Sequence, residues 1–579
     1  MLFKTVANVF EKIERISGRL EITQLLAELL QQATPQEASI ITTISLGLLH
    51  PPYIGTQFNM AEKSVLKTLA FFLHVSEKEI QDHAKKEGDL GLVINHYAWE
   101  STHDLTVEQV YNALTQLEQL GGIGSQETKV HSLQTLLGQV DVQSAKYIIR
   151  IIIGKLRLGF SDMTLVDALS WMVTGNKSLR PIIEHAYNIS ADIGHIAFLL
   201  KQEGIEALKN KNIEMGIPII PAAAERLPSA RAIVEKLGHC VAQPKLDGFR
   251  LQIHLDKRGA EPKIHFYSRN LQDMSQMFPD LHRAVLQLPV QQLIAEGEAI
   301  AYDPNVGQFL HFQETVKRKR KHEIEQAMQE FPLKLFLFDI LYLDGTSMLD
   351  HTHEQRRVFL TGIFNKITLP ELAVIDEQPI ATVQDLEIYF SHMIQQGLEG
   401  LVVKRPDAVY QPGKRNFNWI KLKRHQEGHL EDSIDAVILG YYAGEGKRAS
   451  FGIGAFLVGV YNKSRDVFET IAKVGTGLTD IEWIDLKKEC DKIKVTQQPH
   501  NVICAKELYP DVWVNPELVC IVLADEITLS PLHSAGKTVD QLGYALRFPR
   551  FMGYRPEKSG TESTTVAEIK RLYEDQFVK

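Results

Sequence analysis

The hydrophobic period of this chain changes twice, and no single repeating architecture accommodates both changes. Over residues 1 to 212, apolar side chains recur every three or four positions, as in Phe3, Val6, Phe10 and Ile13 and again in Ile22, Leu25, Leu26 and Leu29. That spacing lines one face of a helix. Gly and Pro mark short breaks, as in HPPYIGT and LGGIGSQ. From 213 to 428 the runs become short and alternating: RLQIHL, KIHFYS, LIAEGEAIAY, LKLFLFDILYL and GLVVKR. Gly, Pro, Asp and Asn bound them as they bound strands. Helical stretches such as KHEIEQAMQEF and DLEIYFSHMIQQ lie between, which predicts an α+β domain with antiparallel strands. From 429 to 579 strands dominate, in DAVILGYY, GAFLVGVYN, VFETIAKVG and ELVCIVLADEIT. A small barrel is the natural packing for them. DIEWIDLKKECDKI interrupts as a helix, and AEIKRLYEDQF predicts a last one.

Length agrees with several domains, since 579 residues at ~150 per domain give three to four. Charged residues make up 23% and hydrophobic ones 44%, which excludes a disordered chain, a collagen-like fibre and a disulfide scaffold. The net charge is 63 − 72 = −9. An acidic total leaves nucleic acid open as a partner, because local basic patches decide that. Cys240, Cys490, Cys504 and Cys520 form no CxxC pair, which argues for a reducing compartment and against a thiolate zinc site. Arg150 in YIIRIIIG and Asp339 in LFLFDILYL interrupt the longest apolar runs, so no membrane span is expected. The N-terminus alternates charge and apolar groups without a signal-peptide core, and a cytoplasmic protein is the expectation.

Familiar catalytic patterns are few. SAGKT could end a phosphate-binding loop, but Pro531 stands where the first glycine belongs. The informative segment is QPKLDGFRLQIH, residues 243 to 254. Lys245 and Asp247 share parity, and Gly248 lets the backbone turn or approach a ligand closely. Taken alone, the segment reads first as a surface Lys-Asp pair before a hairpin. Trp419, Lys421 and Lys423 alternate onto one face, with Ile420 and Leu422 on the other. Glu296 and Glu298 also share a face, whereas Glu399 and Lys404 have opposite parity in a regular strand.

Further segments follow in order: YSRN with Arg269, AEGEA with Glu298, LFDILYLDG with Phe338, EGLVVK with Glu399, GKRNFNWIKLK with Arg415, Lys421 and Lys423, and LRFPRF with Arg547 and Arg550. KxDGxR followed by these six resembles the motif series of the covalent nucleotidyltransferases: ATP-dependent DNA ligases, RNA ligases and mRNA capping enzymes. The helical part, with GGIGSQETKVHSLQTLL, RIIIGKLRLGFSDMTLVDALS and KKEGDLGLV, is similar to the DNA-binding domain of archaeal and eukaryotic replicative ligases. The resemblance covers nearly the whole chain. It implies an all-α DNA-binding domain at 1–212. A nucleotidyltransferase domain at 213–428 would be built of ATP-grasp-like antiparallel sheets, and a C-terminal β-barrel OB-fold domain would occupy 429–579.

The resemblance also implies roles. Lys245 is the nucleophile that takes AMP from ATP. An amine must be neutral to attack, and an ordinary lysine is protonated at pH 7, so neighbouring cations or burial must assist. Lys421 and Lys423 suit the charge growing on leaving pyrophosphate. Glu298 contacts ribose or a metal and Glu399 a metal, with Mg²⁺ matching their hard oxygens. Phe338 stacks on adenine, although in isolation its strand reads as core. Arg250, Arg269 and Arg415 grip the nucleotide. Gln243 stands where relatives often carry Glu against the adenine amino group, and its amide oxygen can still accept. Arg547 and Arg550 orient pyrophosphate. The activity implied is sealing of nicks in duplex DNA during replication, repair or recombination, by a monomer. An RNA ligase, a capping-type guanylyltransferase and a non-catalytic DNA-binding protein are the alternatives.

Some features depart from the family or add to it. Ile521 replaces a Glu common in relatives, and the final segment reads RPEK. KRKRK, residues 317 to 321, is a solvated face or a DNA-facing helix start. No sliding-clamp peptide is readable, and Phe71-Phe72 reads as part of a buried helix.

Overall fold

The structure is a computed structural model that describes residues 1–122, 124–303, 308–309, 315, 318, 324–423 and 433–576. Two compact units form: Met1–Ala61 with Trp99–Arg424, and Glu62–Ala98 with His425–Lys579.

The first unit begins with helices. Phe3–Glu14 buries Phe3, Val6, Phe10 and Ile13, the residues whose spacing predicts the helix. It packs near Val142–Ile152, where buried Lys146 pairs with Glu11 at 2.7 Å and Glu14 at 2.9 Å. Arg150, the charge that breaks the apolar run, is itself buried and pairs with Glu14. No helix among the described residues is long and apolar enough to cross a membrane. Lys201 donates to the carbonyls of Leu30 and Gln31, satisfying the end of helix Arg19–Gln32.

Two sheets follow. Strands β1 (Ala223–Arg226), β2 (Cys240–Lys245), β3 (Phe249–Asp256), β4 (Lys263–Ser268), β5 (Gln292–Asp303), β6 (Gln308–Phe309), β7 (Leu333–Leu343), β8 (Thr346–Ser347), β9 (Leu372–Val374), β10 (Gln378–Ile380), β11 (Gly400–Lys404) and β12 (Arg415–Lys423) divide between them. One sheet has the order β1-β12-β11-β2-β10, the other β4-β3-β5-β7-β8, with β6 on β5 and β9 on β7. Most pairs are antiparallel, but β1 with β12 and β7 with β9 are parallel. The five-stranded sheet buries Leu401, Val403, Ile420 and Leu422 with Ile233 and Leu386, from helices Ala230–Leu237 and Val383–Gln395. Between the sheets Ile294 and Leu341 meet Trp419 and Tyr410.

The helices join this region through a compact seam. Asn188 donates to the Pro412 carbonyl at 2.8 Å and accepts from the Ile220 amide at 2.7 Å. Gly413 lies there at φ +69°, and a Cβ on it would sit 2.6 Å from the Asn188 amide oxygen.

In the second unit, an eight-stranded, mainly antiparallel sheet and the paired strands Glu526–Ser530 and Gly543–Arg547 pack about a large core, with a smaller cluster around Leu457 and Trp513. Phe456, Val458, Val522 and Phe551 meet Trp483 in the large core. Trp483 comes from helix Asp480–Lys492, and the last helix is Val566–Asp575. The segment 62–98 is helical in this unit. Here one expectation is corrected: helix Glu62–Phe72 buries Val65, Leu66 and Leu69, but Phe71 is 70% exposed. Two residues past Leu69, it falls roughly 200° round the helix from the buried stripe. Of KRKRK only Arg318 is described, and it pairs with Asp280 at 2.7 Å; the rest lies outside the described residues.

Gly413→Ala should cost about 1–2 kcal/mol from the left-handed backbone alone, and more from the clash with Asn188. Its thermal midpoint by scanning calorimetry should fall, whereas Gly362→Ala, with nothing within 4 Å of the added carbon in helix His353–Phe364, should leave it unchanged or raised.

Candidate active site

A cavity of about 500 Å³ opens beside the inter-sheet core. Strand register builds its floor. β11 lies between β2 and β12, with Gly400 opposite Lys245 on one side and Lys423 on the other. One pair further along, Val402 stands between Gln243 and Lys421. Alternation along β12 then turns Trp419, Lys421 and Lys423 into the cavity and Ile420 and Leu422 into the core behind.

Glu399 and Lys404 both line the cavity despite their parity. The cause is Gly400, whose φ of +138° interrupts the alternation; a Cβ on it would lie 2.2 Å from the Leu422 carbonyl oxygen. β2 ends at Lys245, so Asp247 reaches the cavity from a loop rather than from continued extension. That loop sits against β5: a Cβ on Gly248 would lie 2.3 Å from the Ala299 carbonyl oxygen.

The other sheet supplies Arg250 from β3, Glu298 from β5, Phe338 from β7, and Arg269 just beyond β4. Thus Gln243, Lys245, Arg250, Arg269, Glu298, Phe338, Glu399, Arg415, Lys421 and Lys423 face one space. Arg547 and Arg550 belong to the second unit, where they pair with Glu526 at 2.5 Å and Asp525 at 2.8 Å.

Charge dominates the cavity. Lys245 forms an ion pair with Glu399, which also meets Lys423 at 3.2 Å. Burial pushes the Glu399 carboxyl up, but Lys245 and Lys423 outweigh it and hold it below the usual range. Lys421 is pushed down by burial and by Lys423, Arg415, Lys245 and Arg269. Glu298 goes the other way. Its burial raises it to about 7, against the pull of Lys245, Arg250 and the Gly248 amide that donates to it at 3.2 Å.

Arg250 lines the cavity with much of its hydrogen bonding already used. It donates to both Glu296 oxygens at 3.0 Å and to the Ala222 carbonyl at 2.9 Å, while Tyr410 donates to Glu296 at 2.8 Å. Its guanidinium lies 5.5 Å from the Phe338 ring centre. Glu296 is therefore a buried partner of Arg250, unlike Glu298, with which it shares a face. Lys404 lies 4.3 Å from the Trp419 ring centre and donates to the Phe338 carbonyl at 3.2 Å. Burial brings it down to about 8, partly countered by Asp339 and Glu377. Tyr410 and Glu377 carry no local motif, and only the fold brings them beside Glu296 and Lys404 behind the cavity.

Glu298 and Glu399 are two hard carboxylates on one cavity, and no cluster of three or more His, Cys, Asp or Glu suits a metal among the described residues. That set fits Mg²⁺, which completes its shell with water and phosphate oxygens, better than a fully caged ion.

Comparison with known proteins agrees with this architecture. Residues 2–170 match the family model "DNA ligase N terminus", 221–423 "ATP dependent DNA ligase domain", and 449–558 "ATP dependent DNA ligase C terminal region". A "Probable DNA ligase" of Dictyoglomus thermophilum is 45% identical over 100% of this chain and 98% of its own. The "DNA ligase" of Sulfolobus acidocaldarius is 36% identical over 100% and 99%. The solved structure "Pmar-Lig_PreS3" shares the fold at a TM-score of 0.57, covering 95% of this chain and 99% of that one at 16% identity. This chain belongs to the ATP-dependent DNA ligase family, whose function is nick sealing.

In metal-free protein Glu298 keeps its proton up to about 7, whereas an unfolded glutamate releases it near 4.3. Between those values the folded state binds the extra proton, so this group makes stability fall as pH rises. Glu298→Gln removes that slope. Its gain in thermal midpoint over the parent, in EDTA and without nucleotide, should be larger at pH 8 than at pH 5.

Proposed function

We propose that Lys245 is the covalent carrier of AMP and that the cavity around it is the adenylation centre. The observation that carries this is one lysine, held by Glu399, facing Lys421, Lys423, Phe338 and Glu298 across a nucleotide-sized space.

In the first step the Lys245 Nζ, having lost its proton, attacks the α-phosphorus of ATP. A P–N bond forms, the bond to the β-phosphate oxygen breaks, and pyrophosphate leaves. Lys421 and Lys423 offset the charge that develops on it. Glu399 orients the amine before attack. Phe338 and Val402 hold the base between them, and Arg269 and Arg415 bind phosphate or ribose oxygens. Mg²⁺, held by Glu298 and Glu399, would supply charge neutralisation on the phosphates. In the second step a 5′-phosphate oxygen of nicked DNA attacks the same phosphorus and the P–N bond breaks, returning Lys245. In the third, the 3′-hydroxyl attacks the 5′-phosphate, loses its proton and expels AMP.

The helices of 1–212 grip the duplex backbone, 213–428 carries the chemistry, and 429–579 brings Arg547 and Arg550 to pyrophosphate in the first step. The enzyme acts as a monomer on nicked duplex DNA in the cytoplasm.

Incubation with α-labelled ATP and Mg²⁺ should label the protein, and Lys245→Ala should abolish labelling. The same variant should still seal a nick that already carries 5′-AMP. Labelling from GTP and not ATP would replace this reading with a capping-type activity.

A further inference from the structure

The wall of the cavity at Gln243 is backed by a row of polar groups, of which Gln243 and His353 are buried and Glu377 is partly buried. Gln243 is 2% exposed, and its Nε2 donates to Glu377 Oε2 at 2.7 Å. The same oxygen accepts from His353 Nε2 at 2.7 Å. Register keeps these neighbours together, since Gln378 of β10 pairs with Ala242 of β2. His353 is fixed in turn by its backbone amide, which donates to the Ala408 carbonyl at 2.8 Å. Burial pushes the Glu377 carboxyl up, but His353, Lys404 and Arg357 hold it below the usual range, so it is ionised.

An ionised carboxylate only accepts hydrogen bonds. The amide of Gln243 therefore has one permitted orientation: its NH₂ toward Glu377 and its oxygen away. No described group donates to that oxygen, and Gln243 lines the cavity.

We infer that Glu377, backed by His353, is a positioning residue that locks the Gln243 amide with its oxygen toward the base, so that the pocket takes a purine bearing a 6-amino group and refuses a 6-oxo purine. The inference rests on the cavity being the nucleotide site. A 6-amino group donates to the fixed oxygen, whereas a 6-oxo group sets two acceptors against each other. Without the carboxylate, the amide turns freely and the distinction fades.

The test compares single-turnover adenylation of the full chain by ATP and by ITP with Mg²⁺. Glu377→Gln should narrow the ATP-to-ITP ratio of kcat/KM by at least about tenfold, and Gln243→Met should narrow it similarly. A merely structural role would slow both nucleotides together and leave the ratio alone. The reciprocal double variant Gln243→Glu with Glu377→Gln restores one acceptor and one donor, and should bring the ratio back to within about threefold of the parent. It also serves if Glu377→Gln alone does not fold. A ratio unchanged in Glu377→Gln, or no recovery in the double variant, overturns the positioning role. If Gln243→Met also leaves the ratio unchanged, the base is not read here, and the nucleotide assignment of this wall falls with it.

Discussion

Everything at this site depends on gathering positive charge in a half-buried cleft without letting it push the cleft apart. Lys245, Lys421, Lys423, Arg269 and Arg415 face one cavity, and one carboxylate, Glu399, touches two of them. In partly desolvated surroundings such repulsion is several times stronger than in water. Glu399 moderates it and holds the Lys245 amine in place. The unbalanced remainder, read in the downward push on Lys421, is what a polyphosphate would neutralise. The cavity is thus electrostatically complementary to an anionic ligand.

The side of the cavity beneath Phe338 obeys a different rule. There Asp339, Arg356 and Lys404 are buried, and the charges are balanced. Asp339 takes two hydrogen bonds from Arg356, and Asp339 and Glu377 both favour the charged form of Lys404 against its burial. Removing one member of such a set leaves another uncompensated, which costs far more than the pair contributes. Side chains there are held in single orientations, and this rigidity is what allows a neutral amide, Gln243, to have a defined donor end and acceptor end.

The large divisions and the alternating face of β12 were legible in the sequence because period and parity are local properties. Trp419, Lys421 and Lys423 needed nothing but a regular strand. Glu399 beside Lys404 was not legible by the same rule, because Gly400 breaks the alternation and nothing in the string reveals its φ. Glu296 and Glu298 have the same parity, yet one is a buried partner of Arg250 and the other faces the cavity; the neighbouring strand decides which. Tyr410, Glu377 and His353 are distant in sequence and carry no motif. Phe71 shows the converse, where an aromatic pair reads as core until the helix's buried stripe is known.

The placement of Gly400 opposite both Lys245 and Lys423 has a consequence for how a chain of this kind can vary in length. Added residues in the connections between strands cost only loop-closure entropy, which grows slowly. One residue added inside Gly400–Lys404 would instead reverse the facing of every position on one side of it relative to the other, so that Glu399 and Lys404 could no longer both reach the cavity. Insertions and deletions are therefore tolerable around this five-residue strand and ruinous within it.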